Sequence, residues 1–569
     1  MDNRGFIPGV WEEEINVTDF LNLNSKKWSG PNKKQVHELF FDEEYDVLKD
    51  ENEIFTFLVP FRKEISMVYN KKHVLYLGEK TYSNYTETSD RKKFLEIGLI
   101  SPEKEEEKWA FIQPELCTVP LYGTKEIVRT LKQYVKDLDK QFQTQEWTHR
   151  KISHHRSIKA IQEYEEFALK HGVNVRKPCA SAVEVANSLW MTSLYSLLEN
   201  PEVPFAFHSI FSFLDIFIEK DIQKKKLKER EAQLLVDELY CKLAALRGIA
   251  KCSGIFDFSV TIASSKLNRT SYRLLESALE YKYFKVPFQL IFNTEEFPKE
   301  IHERVEELFK INHPISISQS LRKRDANNLS LTSNHTFFRN FEDITMHFAS
   351  FDLQKAFMVA LNGGKDVDTN SNVQQVTKAL DSKQLDFDSA FMQFEMFLKY
   401  YITLYTEYIN TYAYYFDMFH DFPFRQSMIS SYPYYLMNVA YHNVSPVVNL
   451  LTAIYEKTFE LKTNKKGYIE EIMPLTDNRE EFIGAKLNEI IHNETKRMLF
   501  YKNGHYNILF FAECPFFKKE DKFDTHLLSP MSFSKTSFSG FQLVEENEFE
   551  KFFNEFISSN YTHIRIRKK

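Results

Sequence analysis

The chain has 569 residues, 43% hydrophobic and 15% aromatic, which is ample for a large buried core. A formal net charge of −7 gives no nucleic-acid footprint, and the short basic clusters Lys224-Lys225-Lys226 and 565–569 read as a solvated helix end and a tail. Apolar runs fall short of the ~18 residues of a membrane span, and the most apolar, 209–218 and 508–517, are interrupted by Asp215 and Glu513.

Met1-Asp-Asn-Arg opens the chain without the pattern of a signal peptide, so a cytoplasmic location is expected. A β-like run lies at 55–59. Residues 157–171 predict a helix, with Ile158, Ile161, Tyr164, Phe167 and Ala168 at helical spacing and a stop at Gly172. The pattern recurs over 229–246, and a strand-like run follows at 288–292. A long aromatic helix is predicted over 395–419, broken near Pro423. Another covers 445–459, with Ser445 as cap and Pro446 in the first turn. Strand-like runs return at 508–512 and 563–567. Helices alternating with short strands imply an α/β layer or barrel, and Gly (15) and Pro (18) are sparse enough to leave few long loops.

Local candidates for chemistry are weak. Cys117, Cys179, Cys241, Cys252 and Cys514 are scattered and never form a Cys-x-x-Cys pair, which fits buried thiols in a reducing compartment and no zinc site. His149, His154 and His155 begin a charged helix with no carboxylate at ligand spacing, so a solvated face is expected rather than a metal site. Asp215 and Glu219, one helical turn apart, read as a capped or salt-bridged pair ahead of an acid/base pair. Asn362-Gly363-Gly364 lacks the Lys-Ser/Thr of a phosphate loop and reads as a helix cap and turn. The Tyr/Phe-rich helix 400–419 reads as packing rather than a ligand pocket, and the charge run 103–108 as a solvated loop.

Four blocks, in order, carry a family resemblance. The first is Gly5-Phe-Ile-Pro-Gly-Val-Trp11 through Phe20. The second is 206–247, with Phe213-Leu-Asp215-Ile-Phe-Ile-Glu219-Lys-Asp221 and Glu231-Ala-Gln233-Leu-Leu-Val236-Asp237. The third is 328–364 and the fourth 401–454, ending in Leu451-Thr-Ala453-Ile454. Together they resemble pyruvate formate-lyase, the formate acetyltransferase of the glycyl radical enzymes. The resemblance implies a ten-stranded α/β barrel in two antiparallel-related halves, wrapped by a helical shell. It implies one domain over 1–569, with a mainly helical half at 1–250 and a second barrel half at 251–569.

The chain departs from the family where the family does its chemistry. Two adjacent cysteines, a thiyl relay and an acylated nucleophile, are replaced by Ser333 and Asn334. A serine O–H is too strong a bond for a glycyl radical to cleave, and an amide is no nucleophile. The family's two pyruvate-holding arginines align with Ser350 and with the loop holding Trp109 and Phe111, just before the surviving Leu121-Tyr122-Gly123. None of these offers a bidentate guanidinium. A tryptophan near the family's pyruvate site falls near Phe292. In one alignment of 560–569, Lys568 stands at the radical glycine; in another, the segment is the last barrel strand and the C-terminal glycyl radical domain is lost. No cofactor, metal, nucleic acid or membrane is implied. The expected function is that of a catalytically inactive relative acting by association, as a homodimer or as a heterodimer with an active pyruvate formate-lyase. The alternatives are a formate C-acetyltransferase completed by a separate radical subunit, or a barrel repurposed for non-radical chemistry.

Overall fold

The structure, a computed structural model, describes most of residues 93–568. Residues 1–92 fall outside the described residues, as do internal stretches that include 100–109, 248–257, 321–328, 332–336, 348–350, 512–525 and 552–560. The expected strand at 55–59 and the first family-like block lie there.

β1 (Ala110–Ile112) leads through α1 (Thr118–Tyr122) into α2 (Thr124–Asp139), α3 (Gln145–Lys170) and α4 (Ala182–Glu199). β2 (Phe205–His208), α5 (Ile210–Gln223), α6 (Glu229–Arg247), β3 (Phe258–Ala263), α7 (Arg269–Glu280), β4 (Phe288–Asn293), α8 (Lys299–Lys310) and β5 (Ile315–Ser320) follow. β6 (Leu329–Leu331), β7 (Phe337–Arg339), β8 (Asp343–His347) and β9 (Phe351–Asp352) precede α9 (Leu353–Leu361) and the long α10 (Phe387–Phe419). The chain continues with α11 (Pro423–Gln426), β10 (Tyr434–His442), α12 (Val444–Glu456), the hairpin of β11 (Phe459–Thr463) and β12 (Ile469–Pro474), and α13 (Glu481–Met498). β13 (Gly504–Phe511), β14 (His526–Ser529), β15 (Ser537–Val544) and β16 (Tyr561–Lys568) complete it.

Among the described residues the main sheet has 12 strands, in the order β1-β8-β10-β13-β14-β15-β16-β5-β4-β3-β2, with β9 beside β10. β2 to β5 run parallel, and β5 meets β16 antiparallel. β16, β15, β13, β10 and β8 share the opposite direction, and β1 reverses again against β8. The sheet exceeds the expected ten strands by two. The two-residue β9 pairs with the end of β10 beyond the β8 ladder, and β14 is an antiparallel excursion between β13 and β15. The remaining ten form two sets of five, β1–β5 in one direction and β8, β10, β13, β15 and β16 in the other. The path's two end strands meet through a side chain. Buried Gln113, one residue past β1, donates from Nε2 to the Ala206 carbonyl in β2 at 2.7 Å and accepts from the Ala206 N–H at 3.1 Å.

The parallel strands are apolar throughout because both faces are covered; all six residues of β3 are buried. The helices cover them with apolar stripes. In α8, Ile301, Val305 and Leu308 are buried at the i, i+4, i+7 spacing, while Lys310 and Glu307 face outward. Asn268 and Ser271 form a reciprocal cap that starts α7. The buried side chains form two clusters, one drawn mainly from residues 116–317 and the other mainly from 353–491. The chain therefore changes core after β5, and β3 to β5 share their core with the helices before them.

Candidate functional site

Of the residues at which the family's chemistry is expected, Phe111, Phe292 and Lys568 are described, each on a strand of the main sheet. Between Leu331 and Phe337, which pair in the separate β6–β7 ladder, fall Ser333 and Asn334. These two residues, Trp109 and Ser350 lie outside the described residues. Phe111 stands on β1 opposite Thr345, and Phe292 on β4 opposite Gln319. Tyr561–Lys568 is a strand of the main sheet, between β15 and β5, with Lys568 opposite Val544. Ile566 faces Ile315 while Phe292 faces Gln319. Lys568 and Phe292 are thus about six residues apart along the strands, roughly 20 Å. The backbone does not bring these two expected positions together.

The polar groups that do converge lie in the helical shell. Asp215 and Glu219 on α5 receive an arginine from α7. Arg273, fully buried, donates to both Glu229 oxygens at 2.7 and 2.8 Å and to Glu219 at 2.9 Å, with Asp215 at 3.4 Å. Thr270 N–H caps Asp215 at 2.8 Å. Burial pushes the Asp215 carboxyl up to about 6 against those bonds. Burial alone would favour neutral Arg273, but Glu229, Glu219 and Asp215 outweigh it and hold the guanidinium charged. The expected salt-bridged reading of Asp215 and Glu219 thus holds, with a partner the spacing of the pair did not reveal. Arg273 interrupts the apolar run Tyr272-Arg273-Leu274-Leu275, and a cation inside such a run was the available signal.

A second cluster joins α6 to α7. Asp237 Oδ1 accepts from Ser277 Oγ at 2.5 Å and from Gln233 Nε2 at 2.8 Å, and burial pushes its carboxyl up to about 7. A third fixes the seam between the two cores. Glu199 accepts from the N–H groups of Phe424 and Arg425 at 2.7 and 3.0 Å, so a carboxylate holds the start of α11. Arg425, fully buried, donates to the Ser196 carbonyl at 3.0 Å and lies 5.3 Å from the Phe205 ring centre. Sequence reasoning passed over Gln113, Glu199, Arg273 and Arg425, because each acts on a partner distant in sequence.

The thiols and imidazoles of the described residues show little activation. Burial pushes Cys179 up to about 11 and Cys241 well above the ordinary thiol range. His154 stacks edge-on against Tyr134 at 5.2 Å, and His155 is exposed. Buried His313 bonds the Val286 carbonyl at 2.8 Å, and burial holds it neutral, down to about 3. Among the described residues no three His, Cys, Asp or Glu gather as a metal site. The surviving Leu121-Tyr122-Gly123 has a packing reason. Gly123 has φ +73°, and a Cβ there would lie 2.5 Å from the Arg176 carbonyl oxygen.

Two half-sheets of opposite direction within a helical shell define the fold class. Solved glycyl radical enzyme structures share it. One from Archaeoglobus fulgidus superposes with a TM-score of 0.58 at 13% identity, over 84% of this chain and 77% of that one. Hydroxyproline dehydratase from Clostridioides difficile gives 0.55 at 13% identity, over 87% and 70%. A Roseburia inulinivorans structure described for 1,2-propanediol dehydration gives 0.57 at 12% identity, over 86% and 78%. Residues 43–307 match the model of the pyruvate formate lyase-like family. Formate acetyltransferase of Haemophilus influenzae is 22% identical over 277 residues, 46% of this chain and 36% of that protein. Formate acetyltransferase 1 of Escherichia coli is 30% identical over 89 residues, 16% of this chain and 12% of that protein. The matches thus span between about a tenth and little more than a third of the curated relatives' length.

Proposed function

We propose that this chain is a non-catalytic pyruvate formate-lyase-like protein that acts in the cytosol by association, with a second copy of itself or with an active pyruvate formate-lyase. The reading rests on Ser333 and Asn334, which stand where the family carries its two cysteines. Neither can relay a radical or accept an acyl group as those cysteines do. Trp109, Phe111 and Ser350 at the arginine positions remove the substrate clamp as well. Among the described residues no helix is long and apolar enough to cross a membrane, which agrees with a cytosolic role. Association is supported by an exposed aromatic cluster. Tyr455 at the end of α12 and Phe482 at the start of α13 are 53% and 46% exposed, and their ring centres lie 5.5 Å apart.

The test is anaerobic incubation with a radical-activating enzyme and S-adenosylmethionine, with an active pyruvate formate-lyase added in a second arm. The pure chain should give no glycyl doublet by electron paramagnetic resonance and no formate from pyruvate and coenzyme A. Light scattering should show a dimer or a mixed complex. A doublet or formate from the pure chain overturns the catalytic half of the proposal; a strict monomer in both arms overturns the associative half.

A further inference from the structure

The tip of the β11–β12 hairpin and the loop after α9 flank an open polar pocket of about 490 Å³. Its size falls within the usual range for small-molecule sites. One wall is the turn Asn464-Lys465-Lys466-Gly467; the other is the loop 365–370.

Both walls are fixed before any ligand arrives. Asn464 Oδ1 accepts from the N–H groups of Lys466 and Tyr468 at 2.9 and 3.0 Å, and Gly467 closes the turn at φ +85°. In the loop, Asp366 N–H bonds Ser371 O, Val373 N–H bonds Gly364 O, and Asn370 adopts φ +57°. Asn362 locks one wall to the other. Its Nδ2 donates to the Ile469 carbonyl at 2.9 Å, and its Oδ1 accepts from the Ile469 N–H at 2.8 Å. Preorganised walls spare a ligand the entropy of ordering them.

The charge inside the cavity is unbalanced. Neighbouring cations are paired: Lys355 lies 2.6 Å from Asp366, and Lys462 lies 3.7 Å from Glu470. Lys365, Lys465 and Lys466 line the cavity, and none of them has a carboxylate within ion-pair distance among the described residues. Lys365 is held over the Tyr468 ring, 4.7 Å from its centre, so its ammonium is positioned by an uncharged partner. Glu470 also lines the cavity, but Lys462 offsets it. Thr463, Asn370 and Asn464 add side chains able to donate hydrogen bonds.

We infer that this cavity binds a small multiply charged phosphate anion, a phosphate ester or a diphosphate group. Three ammonium groups match an anion of two or more charges, and lysine binds phosphate as a point charge. A monocarboxylate would leave most of the positive charge unneutralised. The site is independent of whether the chain is catalytic.

Inorganic pyrophosphate titrated into the full chain by calorimetry tests it, with citrate as a second arm. Saturable millimolar-or-tighter binding is expected, weakened by raised salt. Lys365→Gln and the double variant Lys465→Gln/Lys466→Gln should each weaken it roughly tenfold or more. The two variants change side chains at the surface, so their melting temperatures should match the parent's. Asn362→Ala, which frees the walls, should weaken binding while leaving the lysines in place. Absence of saturable binding, or binding that ignores the lysine variants, overturns the inference. Tighter binding of citrate than of pyrophosphate overturns the assignment to phosphate.

Discussion

Asp237 is fully buried between α6 and α7, with one carboxylate oxygen held by Gln233 and Ser277 and the other without a partner among the described residues. Its carboxyl titrates at about 7 in the fold, against an ordinary value of 3.8. The folded state therefore binds this proton more tightly than the unfolded state does. The contribution is complete below about pH 4 and is lost as pH rises towards about 7. Asp237→Asn keeps the acceptor for Ser277 and Gln233 and removes the charge. It should melt higher than the parent at pH 8, and the difference should shrink as the pH falls towards 4; thermal melts across that range check it. Single residues were also where the sequence was least legible. Asp215 and Glu219 showed as a pair, but Arg273, which completes them, lies more than fifty residues away. Neither helical spacing nor charge patterning reaches that far.

At the scale of elements, the regular helices were well marked. The apolar spacing predicts 229–246, and the structure has Glu229–Arg247. The aromatic helix predicted at 395–419 begins earlier, at Phe387, because Asp386 accepts from the Ser389 N–H and starts the first turn. The cap of α12 was misplaced. Asn443, at φ 59°, stands at the N-cap without a side-chain bond, and Ser445 is already the second helical residue. A left-handed asparagine can turn the chain without a serine hydroxyl. The division into two half-sheets was legible only through the family resemblance, since the strands that join them, β5 and β16, lie about 250 residues apart. Gln113 carries a sharp consequence here, because it pairs with both backbone groups of Ala206. Gln113→Ala should leave a buried N–H and C=O unpaired and cost ~2–4 kcal/mol. Denaturant unfolding should report the loss, and amide exchange at Ala206 should accelerate more than exchange in β3 and β4.

The whole molecule is two cores joined along the seam of Gln113, Glu199 and Arg425, and its two half-sheets meet again where β16 lies against β5. β2 to β5 are neighbours in sequence and in space, linked by helices that share their core. The β5–β16 ladder instead joins Ile315 to Ile566. That difference sets a timetable for synthesis. The first half can pair its strands while the ribosome is still extending the chain, but β5 must wait with one side unpaired until residues 561–568 emerge. An open apolar strand edge is a template for unwanted pairing. The nascent protein is thus most vulnerable in the long interval between those two events. A chain stopped before Tyr561 should stay in that interval: it should go to the pellet on expression at 37 °C, recover partly with chaperones, and show its earliest protease-resistant fragment over β2 to β5. A soluble, monomeric product from the shortened chain would show that β16 does not seal the sheet.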